Sequence, residues 1–318
     1  MTRMWTWWAS RWARTESPRT MAVVRILVAL VLLYDFWKVY DLGLVVPLWG
    51  VPEVGGLAPV MTRDPVPEMY RWLPATAATA WAGWGVMVVA LLCLLVGFLT
   101  PLAGLVALLV SAQLAWILPL GDRGIDLMLR NVLLLLALSG CGRVWSVDAK
   151  LFGEKARIPS WPRYLLVIQL LVMYFAAGIQ KTSVTWWPLG GYSALYLILQ
   201  DPSIAAWKFQ WLDRVYPLTQ LAAAATMMFE LGAGAVLLSW WYRDTRTRPG
   251  RLRSLYNRLD VRTVWLLVGV LLHIGIAGTM SLGIFPYAML AMYPAFFHPD
   301  ELPRWLRAAR GVEARAAA

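Results

Sequence analysis

The sequence predicts an all-α polytopic membrane protein, a bundle of about eight transmembrane helices with one short re-entrant or interfacial helix. Three observations predict it. Sixty per cent of the 318 residues are hydrophobic and only 15% are charged, with a mean hydropathy of +0.59, more apolar surface than a soluble domain of this length needs. Apolar runs of about twenty residues recur along the chain, the length that crosses a bilayer. Basic residues collect between those runs, and the 20 Trp and 12 Tyr suit the two membrane–water interfaces. The net charge of +11 does not indicate nucleic acid, because it is not gathered on one soluble domain.

Residues 1–20 form a separate N-terminal segment. Trp5, Trp8 and Trp12 recur at helical spacing beside Arg3, Arg11 and Arg14, which reads as an amphipathic helix lying on an anionic leaflet. A solvated tail is the alternative. The transmembrane domain covers 21–300, with expected spans at 21–40, 77–98, 100–119, 126–140, 162–180, 215–241, 263–281 and 283–297. The first is not expected to be a cleavable signal, since twenty residues precede it and no small-residue cleavage pattern follows. The fourth and last are short for a bilayer. Tyr192–Gln200 is apolar but far too short to cross, which makes it the re-entrant or interfacial helix. Residues 301–318 form a basic tail.

Four basic groups hold 20 of the 29 Lys and Arg: before span one, between spans four and five, between spans six and seven, and in the tail. With eight spans all four fall on one side. By the positive-inside rule that side is cytoplasmic, so the chain is expected to be integral to the cell (inner or plasma) membrane with both termini cytoplasmic. The long connections 41–76 and 182–214 then face outward, rich in Pro, Gly and Trp, and are suited to cover a site. Cys93 and Cys141 and the two histidines, His273 and His298, have no ligand spacing, so no metal, haem or iron–sulfur site is expected.

Polar residues inside the runs carry the functional reading. Isolated charges in hydrocarbon cost roughly 3 kcal/mol or more, so they should face the bundle interior and pair. Arg25, Asp35, Gln113, Asp126, Arg130, Asn131, Gln169, Gln180, Glu230 and His273 are the candidates. Ion-paired glue between helices explains Arg25, Asp126, Arg130 and Glu230 as readily as chemistry does, and His273 can be a hydrogen-bonded core residue. Lys181 is the most informative. It ends the apolar run 163–180, where a lysine either snorkels to the interface or is held partly desolvated for chemistry. Desolvation favours a neutral amine, which can act as a base. Trp186-Trp187-Pro188-Leu189-Gly190-Gly191-Tyr192 follows it like a lid.

The run Tyr174-Phe-Ala-Ala-Gly-Ile-Gln-Lys181, then Trp186 and Gly191-Tyr192-Ser193-Ala-Leu-Tyr196, resembles the vitamin K-dependent γ-glutamyl carboxylase. It also resembles the wider bacterial group of horizontally transferred transmembrane (HTTM) proteins. Arg143-Val-Trp145-Ser146-Val147-Asp148 is similar to that family's Arg-x-Trp-Ser-Val-Asp turn, and His273 with Ser281–Leu290 to its late membrane segment. The resemblance covers nearly all of 21–300. Gln180 departs from it, standing where the family has a second lysine, and the stretch Gly124–Met128 lacks the family's histidine.

The resemblance implies a carbon–carbon lyase. Lys181 would be the base that deprotonates reduced vitamin K or menaquinone. Reaction of the hydroquinone with O2 then generates a base strong enough to take a γ-proton from glutamate, and the carbanion takes up CO2. Catalytic roles fall to Lys181, His273 and Glu230, and quinone contacts to Tyr174, Gln180, Trp186, Trp187 and Tyr192. The implied partners are the lipid bilayer, an isoprenoid quinone and a glutamate-containing peptide or protein acceptor. Two other readings stand beside this one: a quinone-handling oxidoreductase that does not carboxylate, and a non-catalytic membrane scaffold or transport subunit.

Overall fold

The computed structural model describes residue 10 and residues 12–57 and 65–302. The chain divides into two compact units, one running to Leu166 and resuming at Ala291, the other spanning Val167–Leu290.

The first unit is built on four helices, α1 (Arg19–Asp41), α2 (Ala77–Val96), α3 (Thr100–Ile117) and α4 (Gly124–Ser139). α1 packs on α2 and α4, α2 on α3, and α3 on α4. Local chemistry sets their ends. The Thr76 hydroxyl accepts from Thr79 N–H and caps α2 at its start. Gly97 (φ +69°) and Gly140 (φ +73°) take the left-handed conformation that ends α2 and α4. Pro101 sits in the first turn of α3, where its missing N–H costs nothing.

The turn Arg143–Asp148 and the short helix α5 (Val147–Phe152) cap this unit. The Asp148 carboxylate accepts from Leu99 N–H (2.7 Å) and Thr100 N–H (2.8 Å), satisfying the open start of α3. Arg25 of α1 is fully buried and donates to the carbonyls of Trp145 (2.7 Å) and Leu94 (3.3 Å). It is therefore held by main-chain oxygens, where the sequence suggested an ion pair. Asp35 and Asp126 do pair, and the partner of both is Arg123, at 2.7 and 2.8 Å. Arg130 pairs bidentately with Asp122 at 2.7 and 2.6 Å.

Of the N-terminal segment, Trp12 is half-buried, and Trp5 and Trp8 lie outside the described residues. Two short strands, β1 (Thr15–Glu16) and β2 (Ile158–Pro159), pair antiparallel. Glu16 and Arg163 form a bidentate ion pair at 2.8 and 2.7 Å, each almost fully buried. Residues 303–318 of the expected tail lie outside the described residues.

α6 (Trp161–Gln180) leads into the second unit, which holds α7 (Ala194–Gln200), α8 (Tyr216–Leu231), α9 (Ala233–Asp244), α10 (Arg251–Leu259) and α11 (Val261–Thr279), and the chain leaves it within α12 (Phe285–Met292). α8 packs on α7, α9 and α11, and α9 on α10 and α11. The segment after α7 is tied to the end of α11 by Ala206 N–H to Thr279 O (2.9 Å) and Ser281 N–H to Ile204 O (2.7 Å).

Among the described residues, α1, α2, α3, α6 and α11 are long and apolar enough to cross a membrane, giving five spans. A sixth is added if the bent pair 210–243 counts as one span, with its 46° break before Ala233. α4 has 16 residues, about 24 Å against a hydrocarbon core of about 30 Å. The last expected span is an eight-residue helix followed by a 3-10 turn. The segment expected to be re-entrant or interfacial folds as the seven-residue helix α7.

Candidate functional site

Lys181 lies just past the end of α6, and the fold brings Glu230 of α8 to it. The ammonium contacts both carboxylate oxygens, at 2.7 and 2.6 Å. The Lys181 side chain is 20% exposed and that of Glu230 10%, so the pair is largely withdrawn from solvent with one edge open. Gly178 permits the approach. A Cβ at that position would come within 2.9 Å of Leu231 Cδ2 and 3.1 Å of Glu230 Cβ, so a larger residue would have to push the Leu231 side chain aside for α6 to lie this close to α8. Glu230 stands in the last turn of α8, two residues before the break at Gly232. An interrupted helix is a usual setting for a polar group within an apolar bundle.

The lid segment folds over the lysine. The Trp186 ring faces the ammonium at 5.0 Å from its centroid, a cation–π contact. Trp187 Nε1 donates to the Lys181 carbonyl at 3.0 Å. Gly190 lets the loop close on itself, since a Cβ there would fall 2.3 Å from the Val184 carbonyl oxygen. The Gly191 carbonyl accepts from Gln220 Nε2 of α8 at 2.6 Å. Tyr192 has φ +51°, a strained conformation for a bulky residue. Farther on, Tyr196 donates to Asp213 at 2.5 Å. That bond to a carboxylate, with lesser contributions from desolvation and nearby charge, holds Tyr196 above the ordinary tyrosine range.

A second cluster lies in the same unit. His273 is fully buried. Its Nδ1 is 2.7 Å from the Gly269 carbonyl, and its Nε2 is 3.3 Å from the Tyr174 hydroxyl. The carbonyl can only accept, so Nδ1 carries a proton; in the neutral ring Nε2 then accepts from the tyrosine. Tyr174 stacks edge-on against Phe229 and Trp265, whose rings lie 4.3 Å apart and nearly parallel. Trp265 Nε1 donates to the Phe229 carbonyl at 2.8 Å. Phe229 and Glu230 are neighbours on α8, so one helix end serves both clusters.

The fold therefore joins Lys181, Glu230, Trp186 and Trp187 in one group, and Tyr174 and His273 in another. Gln180 is exposed at the end of α6. Sequence reasoning missed Phe229, Trp265, Gln220 and Gly178. Gly178, three residues before the lysine, carried a readable signal, because glycine in a membrane helix marks close approach. A cavity of about 220 Å³ lies elsewhere, in the first unit, lined by Leu99, Thr100, Pro101, Leu136, Cys141 and Phe152 among others. None of the expected site residues line it.

No solved structure matches the chain. The HTTM domain family model matches residues 13–249, well over half of the chain. The match includes Lys181, Glu230 and the lid and stops short of His273. On that match, with its membrane-capable helices in place, the chain belongs to the HTTM domain family of membrane proteins.

Proposed function

We propose that this protein is a quinol-dependent membrane enzyme of the γ-carboxylase type, with Lys181 as the base that takes the quinol proton. The observation that supports this reading is the bidentate Lys181–Glu230 pair, with one edge open and an indole on the lysine. In a medium of low dielectric, an ion pair loses much of its advantage over the neutral pair of amine and carboxylic acid. Glu230 can hold the proton while the Lys181 amine accepts the next one. Trp186 gives the amine an aromatic neighbour, which suits the flat ring of a reduced vitamin K or menaquinone. The bound quinol would supply, with O2, the strong base needed to carboxylate a glutamate acceptor with CO2.

A second reading is favoured by the same short contacts: the pair is a structural clamp fastening the end of α6 to α8, and the protein is a non-catalytic scaffold. One experiment separates them. Purified protein receives reduced menaquinone, O2, labelled bicarbonate and a glutamate peptide, and epoxide and fixed label are measured separately. The enzyme reading expects both products from the wild type and neither from Lys181→Arg, because arginine keeps the charge but does not give up its proton. Epoxide without fixed label identifies a quinone-handling oxidoreductase. Wild-type turnover by Lys181→Arg would end the general-base assignment, and absence of both products in the wild type favours the clamp.

A further inference from the structure

The surface of α10 is strongly patterned. One side packs on α9: Tyr256 meets the Tyr242 ring edge-on (5.1 Å between centroids), Arg253 lies over that ring, and Asn257 Nδ2 donates to the Tyr242 carbonyl. Arg253 also donates to the carbonyls of Arg248 and Pro249, closing the turn that precedes the helix. The other side carries Leu252, Leu255 and Leu259, exposed by 57%, 48% and 56%. At about 100° per residue they fall within about 60° of one another, a single apolar stripe. Arg251 and Arg258 are exposed and share the flank of that stripe. Helix breaks separate α10 from its neighbours, at Gly250 (φ +153°) and Asp260 (φ +41°).

The surrounding charge is predominantly positive. Residues 243–262 contain seven arginines against two aspartates, a formal charge of +5. Arg243, Arg246, Arg248, Arg251 and Arg258 are all exposed. A nine-residue helix is too short to cross a bilayer. An apolar stripe of three leucines flanked by arginines, on a chain already held in a membrane, matches an element lying in the interface plane. We infer that α10 is an interfacial helix that seats its leucines at the acyl boundary and draws anionic phospholipid headgroups onto the arginines of 243–258. Anionic lipid is the occupant because guanidinium forks bind phosphate oxygens bidentately, and each basic residue adds attraction at a charged surface.

The test places a spin label at Leu255→Cys, and separately at Ser254→Cys, in full-length protein carrying Cys93→Ala and Cys141→Ala. The protein is held in nanodiscs of phosphatidylcholine with or without phosphatidylglycerol. With phosphatidylglycerol the Leu255 label should become accessible to O2 and shielded from an aqueous nickel chelate, about 5–10 Å below the headgroups. The Ser254 label should stay in water. Phosphatidylglycerol retained from mixed lipid should fall roughly fivefold for each of Arg251→Gln and Arg258→Gln, and the loss should shrink at high salt. A Leu255 label equally exposed to the nickel chelate in both lipids would overturn the inference. So would lipid retention indifferent to both arginine changes, which would leave α10 as an ordinary solvated connection.

Discussion

Lys181 and Glu230 stand 49 positions apart in the chain, and no local rule brings them together. Each was visible in the sequence as a charge in an apolar run, because hydrocarbon makes such charges expensive. Their pairing was not, because any of several arginines could have taken the glutamate. The pair gives a prediction at this scale. Glu230→Ala removes the carboxylate and leaves a largely buried ammonium without it, so stability in detergent should fall by about 2 kcal/mol, the buried-pair cost discounted for the exposed edge. Glu230→Gln keeps one acceptor oxygen on the lysine and should lose about half as much. Thermal unfolding of both variants checks this, and an Ala variant as stable as the wild type would mean that the pair contributes nothing to the fold. His273 follows the same logic. Its burial was expected from its place in an apolar run, whereas its Tyr174 and Gly269 partners emerge only from how the helices pack.

Helix ends follow from local chemistry in a way that helix pairings do not. Thr76, Gly97, Pro101 and Gly140 stand where capping and turn chemistry places them, and the structure uses each at its helix terminus. The break at Gly232 was not legible. The residues around it, Glu230 apart, form one apolar run, and periodicity passes through a single glycine. Gly178 and Gly97 show what such residues do between elements. A Cβ at Gly97 would land 1.7 Å from Arg25 Nη1, at a backbone angle that alanine disfavours. Gly97→Ala should therefore destabilise by about 3 kcal/mol, through backbone strain together with displacement of the buried guanidinium. Gly178→Ala meets only the flexible end of Leu231 and the stem of Glu230, and should cost about 1 kcal/mol. Unfolding midpoints of the two variants, read side by side, check the order; a reversed order would show that Arg25 moves aside more easily than α8.

At the scale of the whole chain, the segregation of basic residues makes a prediction about the membrane. Cysteines placed singly at Asp201 and Arg251, with Cys93 and Cys141 replaced by alanine, should react with an impermeant thiol reagent from opposite sides. Arg251 should label from the cytoplasmic face, because the arginine-rich connection 243–262 follows the positive-inside rule. Labelling of both from one side would contradict an odd number of crossings between them, and with it the eight-span count.

The sequence by itself determined the fold class, the approximate positions of the long helices and the family, because apolar length and the order of motifs along the chain are local properties. It also singled out Lys181, Glu230 and His273, since a polar side chain in hydrocarbon stands out wherever it occurs. Only the tertiary structure decided who meets whom: Glu230 with Lys181 across Gly178, Tyr174 with His273, Arg123 between Asp35 and Asp126, and Arg25 with carbonyls where a carboxylate was expected. The physical reason is that pairing energy depends on distance and desolvation. Both are set by how helices approach one another, and an apolar run carries no record of which neighbour it will face.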